Sequence, residues 1–491
     1  MQMIKIILSV MLLMLAFVSN IIASDIYVGA SSSGSANGSD WDNKISWASV
    51  SFTRGNTYFL DTGTYTVSKD LNTAISGSSY IYIKNGGRGT VTFDTAYITI
   101  GTSYWDIDGI TGGGPGTWTS GFGIVFNDAT GGETNRTFIK MTASISHINI
   151  RHIEFKQTGD IVANKGTNGI AITPGTGPPY QTMDDCIFEY CYFHNITWLA
   201  WSFAYVTGSN NIIQYNYTGD ICGAYDYSTD NHCETLVMHS LSNTHFRYNY
   251  IAECPSTGGF VKNSSGTTSD GTKIYGNVFA HRDGVAGQGK AIVANGPVIN
   301  WRIFNNTIHN ASSTWLSEGT VDFFNNTNYI YNNVLYYAGG TREPRQVTGA
   351  AGLKDYNWYS NATAGSSDMY SGEHDNICVT SESPNTGCAS GDEILETSDV
   401  FVDSTSDTPE SFKLSQAILD FTLNGDVHSG SGYNVCLIDS CEGEIKYNID
   451  AFGITRGSDG VWDRGAYEYQ STSQANSGKR IGGSSSGGTF R

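Results

Sequence analysis

The sequence contains 491 residues, of which 58 are Gly and only 9 are Pro; aromatic residues make up 12% and charged residues 15%. This composition excludes collagen, coiled coils and disordered chains, because it has no G-X-Y period, no heptad pattern and too many aromatic residues. The formal net charge is −19 and no basic face is visible, which argues against nucleic acid or an anionic membrane as a partner. An acidic polymer as ligand would require a local cationic groove or a bound divalent metal.

Residues 1–24 have the three parts of a secretory signal peptide. Lys5 supplies the positive charge, residues 6–18 form the apolar core, and Ala23 and Ser24 precede the expected cleavage point. The apolar run of about 13 residues is shorter than the ~20 that span a bilayer, and no later segment is long enough to do so. We therefore predict an exported protein, extracellular or on the cell surface. An uncleaved N-terminal anchor is the alternative.

A short pattern recurs through the middle of the chain: an alternating strand, then Asn or a substitute, then an apolar pair. The segments that carry it are 147–155, 185–193, 211–217, 243–251, 271–279, 299–308 and 328–335. Their anchor positions, spaced 39, 25, 33, 28, 29 and 27 residues apart, are His152, Cys191, Asn216, Asn249, Asn277, Asn306 and Asn333. A strand-rich repeat of this length predicts stacked coils, in which each strand pairs with its equivalent one turn above. The Asn residues at the bends are expected to form a hydrogen-bonded ladder.

The uneven spacing also separates two repeat architectures. The blades of a β-propeller recur at a nearly constant period of about 40–50 residues, which these segments do not show. A parallel β-helix accepts shorter and unequal coils, because insertions are placed in its loops. Pro is scarce for the same reason, since a central strand uses every backbone N–H. We therefore predict an all-β solenoid.

The repeat resembles the right-handed parallel β-helix superfamily, which has the pectate-lyase-like fold. Residues 54–66 look like the N-terminal part of such domains, where a G-D-T-V-Y-L-x-x-G-T-Y pattern precedes the first coil. Residues 411–420 and 459–469 are similar to the closing segment of bacterial surface β-helix proteins, with D-x-G-A-Y-E near its end. The resemblance implies a right-handed parallel β-helix over residues 25–470 and a Gly/Ser-rich tail at 471–491.

All nine cysteines lie after the expected cleavage point. The candidate local disulfides are Cys186/Cys191, Cys222/Cys233, Cys378/Cys388 and Cys436/Cys441, which leaves Cys254 over. Export permits disulfides, but spacing alone does not fix the connectivity. The alternative is that some of the cysteines are buried thiols that pack as small apolar residues, and Cys191 and Cys254 are candidates for this role.

The densest group of chemically useful side chains lies in the coils from residue 231 to residue 290. Counting 15 residues back from the last four Asn anchors gives, in order, Glu234, Lys262, Ala291 (beside Lys290) and Glu318. We expect these positions to form one row on the outer face of successive strands, where a sugar chain could lie. Arg282 and Lys290 are candidate substrate-binding residues, and a solvated ladder of opposite charges is the alternative for the whole row.

The stretch from His232 to Lys262 resembles the chondroitinase B and alginate lyase group. That group has an E-x-E metal pair, a catalytic Lys five residues on, and an Arg on the next coil. The resemblance implies that His232 and Glu234 bind a metal such as Ca²⁺, that His239 replaces the Lys as base, and that Lys262 replaces the Arg. Glu234, His239 and Lys262 are thus the candidate catalytic residues for β-elimination on a uronate. If Phe260 points inward, however, strand alternation turns Lys262 inward too.

Two further groups are candidates for ligand binding. Trp201 and Tyr205 lie one coil before the charged cluster, and exposed Trp and Tyr rings stack on sugar faces. Packing of these rings inside the coil is the alternative. The Asp-rich turn at 226–231 is a second candidate for oxygen ligands to Ca²⁺.

The sequence as a whole predicts a secreted or cell-surface β-helix protein that engages a polysaccharide along its solenoid face. Polysaccharide lyase activity at Glu234, His239 and Lys262 is the candidate enzymatic function. The alternative is a non-catalytic structural or adhesive envelope protein, or a subunit that self-associates into an extracellular assembly.

Overall fold

The fold is known from a computed structural model of the chain. It describes residues 23–112, 116–130, 136–159, 167–172, 180–219, 221, 234–252, 259–262, 267–280, 291–309, 316–318, 327–331, 333–336, 353–355, 358–360, 377–379, 393–395, 409–413, 449–455 and 465–467. Short 3₁₀ helices lie at Trp41–Asn43 and Pro409–Phe412. No helix in these ranges is long and apolar enough to cross a bilayer.

Strands account for most of the regular structure. Within the described ranges they are, in chain order, β1 (Asp25–Gly29), β2 (Ile45–Ser46), β3 (Thr57–Leu60), β4 (Gly63–Tyr65), β5 (Lys69–Leu71), β6 (Ile81–Asn85), β7 (Val91–Asp94), β8 (Ile98–Ile100), β9 (Trp105–Asp108), β10 (Ile124–Asp128), β11 (Arg136–Met141), β12 (Ile145–Ser146), β13 (Ile148–Arg151), β14 (Ile153–Gln157), β15 (Thr167–Ile172), β16 (Gln181–Asp184), β17 (Ile187–Glu189), β18 (Tyr192–His194), β19 (Trp201–Ser209), β20 (Ile212–Gln214), β21 (Tyr217–Gly219), β22 (Leu236–Ser242), β23 (His245–Arg247), β24 (Tyr250–Ala252), β25 (Phe260–Lys262), β26 (Ser269–Asp270), β27 (Lys273–Tyr275), β28 (Val278–Ala280), β29 (Ile292–Ala294), β30 (Val298–Ile299), β31 (Arg302–Phe304), β32 (Thr307–His309), β33 (Leu316–Glu318), β34 (Tyr329–Tyr331), β35 (Val334–Tyr336), β36 (Leu353–Asp355), β37 (Trp358–Ser360), β38 (Ile377–Val379) and β39 (Glu393–Leu395).

These strands form three long parallel sheets. Sheet A has the order β2-β1-β3-β6-β9-β13-β17-β20-β23-β27-β31-β34-β36. Sheet B runs β39-β38-β37-β35-β32-β28-β24-β21-β18-β14-β10-β7-β4, and sheet C runs β33-β29-β25-β22-β19-β15-β11-β8-β5. Neighbours within a sheet are one coil apart in sequence, so the chain visits all three sheets in turn before it returns to the first. This arrangement confirms the predicted parallel β-helix, whereas a propeller would divide its strands into separate blades.

The core lies inside the coil and follows from the alternation of side chains along each strand. In β6, Ile81 and Ile83 are fully buried while the residues between and after them stay partly exposed. Residues in register on successive strands then stack into columns. Phe93, Phe126, Phe155 and Phe193 form one such column in sheet B, with ring centroids 4.8, 5.5 and 4.6 Å apart.

The predicted Asn ladder is confirmed. Asn216, Asn249, Asn277, Asn306 and Asn333 are buried at the start of successive sheet B strands. Each Nδ2 donates to Oδ1 of the next Asn, at 3.0, 3.0, 2.9 and 3.0 Å along the series. The same Oδ1 accepts the backbone N–H of the preceding Asn at 3.0 to 3.1 Å. The ladder therefore satisfies buried backbone groups at the corner and joins one coil to the next.

The first predicted anchor, His152, is wrong by one residue. Glu154 pairs with Tyr192, so the residue in register with Cys191 is Ile153 and not His152. His152 instead occupies the corner before the strand, with φ of 52°, in the position that Tyr190 has one coil later. The remaining anchors keep the predicted register, because Tyr192, Tyr217, Tyr250, Val278, Thr307 and Val334 are aligned one residue further on.

The predicted disulfide between Cys186 and Cys191 is also wrong, since both are free, buried thiols. Each lies directly before a strand and donates its backbone N–H to the Oδ1 atom of the Asn one coil above, Cys186 to Asn211 at 3.1 Å and Cys191 to Asn216 at 2.9 Å. The two side chains thus fill the corner positions that Asn211 and Asn216 hold one coil later. The partners proposed for the other pairs lie partly or wholly outside the described residues.

The C-terminal part of the chain packs against the outer face of sheet B. The Phe412 ring lies 6.0 Å from Tyr250 and 4.9 Å from His309. Further on, the Ala466 N–H donates to Thr307 Oγ1 at 2.9 Å. These contacts join a buried apolar cluster that also contains Trp118 and Tyr467. The outer face of sheet B is therefore covered along β24, β28 and β32.

The Asn ladder gives a direct test of what holds the coils together. We expect Asn277→Ala to lower the free energy of unfolding by about 2–3 kcal/mol, because the neighbouring amides and the Phe246 carbonyl lose buried partners. Thermal unfolding followed by circular dichroism measures this, with the exposed Asn72→Ala as the matched control. Equal melting temperatures for the two variants would contradict a supporting role for the ladder.

The free thiols predict a labelling pattern. Burial raises the pKa of Cys186 to about 12 and also raises that of Cys191, so neither forms a reactive thiolate near neutral pH. Iodoacetamide should leave both residues unmodified in the folded protein and modify both in guanidinium without reductant. Peptide mass spectrometry reads the outcome, and a peptide carrying a 186–191 disulfide would contradict the structure.

Candidate functional site

The structure does not keep the predicted row of charges at one height. Met238 pairs with Lys262, Lys262 with Ala294, and Ala294 with Glu318, so Lys262 and Glu318 do share a row. Glu234 does not belong to it, because it lies four residues before Met238, or about 13 Å along the strand direction. Ala291 likewise lies three residues before the paired Ala294. The prediction that one row contains all four positions is therefore wrong for Glu234 and for Ala291, which is the position beside Lys290.

Lys262 is placed inside the coil wall and not on its outer face. Its side chain is 0% exposed, and its cross-strand partners Met238 and Ala294 belong to the main apolar core. Phe260 is also in that core, while Val261 between them packs in a separate cluster with Val237. Lys262 Nζ donates to Thr267 Oγ1 at 3.2 Å. The expectation of an outward Lys262 that neutralises a sugar carboxylate is wrong, because alternation turns it inward with Phe260.

His239 lies close to Lys262, and the two affect one another. Thr267 Oγ1, which accepts from Lys262, donates to the His239 carbonyl at 3.2 Å. Burial, followed by the charge of Lys262, lowers the pKa of His239 to about 4. Burial alone lowers the pKa of Lys262 to about 8. His239 is therefore neutral at physiological pH, and both side chains, like Glu234, are almost completely enclosed.

The aromatic and metal-binding predictions have separate outcomes. Trp201 is wrong as a sugar platform, because its ring is fully buried and packs 4.5 Å from Phe193. The ring of Tyr205 lies outside the described side chains. His232, Arg282, Lys290 and the turn at 226–231 lie outside the described residues. In the part of the chain that the structure describes, no group of three His, Cys, Asp or Glu is placed to hold a metal.

A polar surface that the sequence reasoning missed runs along the outer face of sheet A. Arg151, Glu189, Gln214 and Arg247 lie in register on β13, β17, β20 and β23, and all four are partly exposed. We call these four residues the polar strip. Beside them, two residues earlier on each strand, lies a second column formed by Asn149, Ile187, Ile212 and His245. The surface thus repeats once per coil along the solenoid axis.

Hydrogen bonds connect the polar strip from coil to coil. Arg151 lies 3.8 Å from Glu189 and pairs with Asp106 on the strand before it. Gln214 Nε2 donates to Glu189 Oε2 at 2.6 Å, and Arg247 Nε donates to Gln214 Oε1 at 2.7 Å. Side chains that hold one another in this way are pre-organised, so little conformational entropy is lost when a ligand replaces their water.

An aromatic wall borders the polar strip at the corner that follows each strand. His152, Tyr190, Tyr215 and Tyr248 form it, with φ between 52° and 54°. Tyr190 is partly exposed, whereas the other three residues are buried. Their rings stack with centroids 4.9, 5.1 and 5.1 Å apart. The next corner residue is Gly276, with φ of 65°, where a Cβ would come within 2.5 Å of the Tyr248 ring. The aromatic wall therefore ends at Tyr248, whose ring lies against the backbone of Gly276.

An acid–imidazole pair lies at the N-terminal end of this wall. His152 Nδ1 lies 2.8 Å from Asp108 Oδ1, and the same oxygen accepts the Ile110 N–H at 3.0 Å. Burial opposes ionisation of Asp108, but the hydrogen bond and charge of His152 outweigh it and hold the pKa of that carboxyl below its usual range. The carboxylate fixes the orientation of the imidazole ring.

The polar strip has a signal in the sequence. Its last three members lie two residues before the anchors Cys191, Asn216 and Asn249, and Arg151 lies two before the corrected anchor Ile153. An offset of two residues stays within one strand and its corner, so insertions in the loops do not change it. Aligning the segments on the corrected anchors and reading this position would have found the strip.

No family model and no curated protein matches the sequence. Among solved structures, the chain is similar to the pectate lyase Pel9A, with 15% identity, a TM-score of 0.40, and coverage of 92% of this chain and 98% of that one. It is also similar to a mannuronic acid specific family 6 polysaccharide lyase from human gut microbiota, with 13% identity, a TM-score of 0.37, and coverage of 70% and 87%. The third similar structure is XylC in complex with xylose, with 9% identity, a TM-score of 0.36, and coverage of 72% of this chain and 86% of that one. The assignment of the fold rests on the strand pairing of this chain and not on these similarities.

We expect the inward Lys262 to lower the free energy of unfolding, by an amount that depends on pH. Its pKa is about 8 in the folded protein and near 10.5 when unfolded, so between these values the unfolded chain binds more protons and stability rises with pH. We expect Lys262→Met to be more stable than wild type at pH 7 by a few kcal/mol, at about 1.4 kcal/mol per pKa unit. The gain should shrink as the pH rises from 8 to 10.5.

Melting temperatures across this pH range check the expectation, and Lys140→Met on the partly exposed outer face of sheet C is the matched control. A Lys262→Met variant that is less stable than wild type at pH 7 would contradict the assignment of Lys262 to the inward column.

Proposed function

We propose that the protein binds a polysaccharide along the outer face of sheet A, with the sugar chain parallel to the solenoid axis. The observation that carries this proposal is the polar strip, in which hydrogen-bonding side chains recur on four successive strands in register. Export, which residues 1–24 predict, belongs to the same proposal, since it would bring the protein into contact with extracellular polysaccharides.

The dimensions of the strip suit a linear sugar chain. Neighbouring strands lie about 4.8 Å apart, which is comparable with the length of one sugar unit in an extended glycan. Arginine, glutamine and carboxylate groups present planar pairs of donors or acceptors to sugar hydroxyls. Ile187 and Ile212, half-buried in the adjacent column, offer apolar contact to the C–H face of a ring. Each coil therefore contributes one polar and one neighbouring side chain to a repeating ligand.

The aromatic wall contributes as a border and not as a stacking platform. Tyr190 and Tyr215 are nearly parallel, with an interplanar angle of 2°, and each covers a face of the other. A sugar stacks on an exposed aromatic face, and this wall offers none, because Tyr190 is only partly exposed and the other three residues are buried. This is why the proposal assigns recognition to hydrogen bonds on the strip.

Binding is supported more strongly than cleavage. The candidate catalytic residues of the sequence do not converge on one outer surface. Lys262 points into the core, and Glu234 precedes β22, four residues before the residue that pairs with Lys262. Binding at the polar strip requires neither a metal ion nor Lys262. We therefore propose a polysaccharide-binding function and leave β-elimination out of it.

Substitution within the strip tests the proposal. Gln214→Ala removes the side chain that links Glu189 to Arg247, and we expect binding to a recognised polysaccharide to weaken severalfold, or about 1 kcal/mol. Affinity electrophoresis in gels containing plant, algal or bacterial polysaccharides gives the retardation of each variant.

The matched control for Gln214→Ala is Asn127→Ala, a polar truncation on the partly exposed outer face of sheet B. It should bind like wild type. The proposal fails if no polysaccharide retards the wild-type protein, or if the Asn127 and Gln214 variants lose binding equally.

A further inference from the structure

The column of side chains that contains the polar strip continues beyond it in both directions along sheet A. Towards the C terminus its next members are Tyr275 on β27 and Phe304 on β31, which are 1% and 0% exposed. Both belong to the apolar cluster that also contains Phe412 and Tyr467 from the C-terminal part of the chain. This end of the column is therefore closed to a ligand.

Towards the N terminus the same column ends at the surface. Asp108 on β9 pairs with Arg151, and Lys84 on β6 pairs with Asp108. Phe59 on β3 and Tyr27 on β1 continue the register. Asp108 is buried, whereas Lys84, Phe59 and Tyr27 are partly exposed. A ligand on the polar strip can therefore extend along this column towards β1 but not towards β31.

Three aromatic side chains lie at this N-terminal end, and we call Tyr27, Trp41 and Phe59 the aromatic patch. The rings of Tyr27 and Phe59 stack with centroids 6.0 Å apart, and the Trp41 ring meets Tyr27 edge-on at 4.6 Å. All three residues are partly exposed, and strand alternation turns Tyr27 and Phe59 outward. An exposed apolar patch beside polar side chains is typical of an interaction site.

Contacts around the aromatic patch fix the position of the Trp41 ring. A Cβ atom on Gly86 would come within 2.3 Å of Trp41 Cη2, so the ring lies directly against the Gly86 backbone. The guanidinium carbon of Arg88 lies over the same ring, 5.0 Å from its centroid, and Arg88 Nε pairs with Asp61 at 3.1 Å. A surface that is held in this way loses little conformational entropy when a ligand binds to it.

The aromatic patch differs from the aromatic wall in the ring surface that it leaves uncovered. In the wall, Tyr190 lies between two nearly parallel rings. Among the described residues, Phe59 has a ring on one side only, that of Tyr27, and its cross-strand neighbour on the other side is Lys84. The partly exposed Phe59 ring therefore keeps surface that a ligand can contact.

The distance between the aromatic patch and the far end of the polar strip suits one sugar chain. Sheet A has eight strands from β1, which carries Tyr27, to β23, which carries Arg247. Seven steps of about 4.8 Å span about 34 Å, which is the length of about seven sugar units. A pyranose has hydroxyl groups at its edge and an apolar C–H face. Its edge suits the hydrogen-bonding strip, and its face suits an aromatic ring.

We propose that Tyr27, Trp41 and Phe59 form a subsite that packs against the C–H face of a pyranose ring in the sugar chain held on the polar strip. This rests on the proposed binding along sheet A and specifies its ligand as a linear polysaccharide, of which about seven consecutive units are recognised. The chain is bound through its hydroxyl groups over the middle coils and through a ring face over the first coils.

Oligosaccharides of two lengths test the subsite, because a tetrasaccharide is too short to contact both Phe59 and Gln214. Tetrasaccharides and octasaccharides from xylan, mannan, alginate and polygalacturonate are compared by isothermal titration calorimetry. We expect the wild type to bind the octasaccharide of its preferred polymer about tenfold or more tightly than the tetrasaccharide. Equal affinity for the two lengths would overturn the subsite and leave the proposed binding on the polar strip standing.

Variants of Phe59 locate this length preference. Phe59→Ala should reduce it to about twofold or less, whereas Phe59→Tyr keeps a ring and should retain it. Tyr97→Ala, which truncates an exposed ring at another corner of the coil, is the matched control and should also retain it. Melting temperatures confirm that each variant is folded. A Phe59→Ala variant with the full length preference would overturn the subsite alone, and no binding of any oligosaccharide or polysaccharide would overturn the proposed function as well.

Discussion

Strand register from one coil to the next is the constraint on which the rest of this structure depends. A parallel β-helix has no local turn that sets its register, so the alignment must come from contacts between coils. The Asn ladder supplies them at the corner before sheet B, because each amide bonds both the next amide and the backbone of its neighbour. Once that corner is aligned, every side chain on the strands before and after it is aligned as well.

The outer surface follows from the same register. Arg151, Glu189, Gln214 and Arg247 meet because each lies at one position relative to its corner, and the bonds between them require that alignment. The corner itself is strained, since non-glycine residues in the left-handed region cost about 1–2 kcal/mol each. Stacking of His152, Tyr190, Tyr215 and Tyr248 offsets part of this cost. One repeated corner therefore builds both the ladder and the border of the proposed site.

The fold could be predicted from the sequence because its signal is local. An alternating strand and its Asn corner span fewer than ten residues, and this unit keeps its length even when the coils differ by more than ten residues. His152 was misplaced because its coil has Ile153, and not Asn, at the ladder position. Cys191 could not be identified as a free thiol from spacing, since a thiol that fills a corner and a half-cystine look alike in sequence.

The candidate catalytic site could not be predicted, because the count of 15 residues back from each Asn anchor crossed segments of unequal length. The paired residues Met238, Lys262, Ala294 and Glu318 lie 11, 15, 12 and 15 residues before their Asn anchors. A fixed count of 15 therefore aligned Glu234 with Lys262 across a difference of four residues. Sheet C also carries an irregularity in β19, between Phe203 and Thr207, opposite His239. The polar strip escaped notice for the opposite reason: its members differ in residue type, and only their shared position reveals them.

We propose above all that a polysaccharide lies along the outer face of sheet A. Hydroxyl-radical footprinting, with and without a saturating polysaccharide, tests it most directly at the half-buried Ile187 and Ile212. Tyr97, which is 49% exposed at another corner of the coil, serves as the internal reference. We expect the ligand to reduce oxidation of Ile187 and Ile212 and to leave that of Tyr97 unchanged. Unaltered oxidation of both isoleucines in the presence of bound ligand would contradict it.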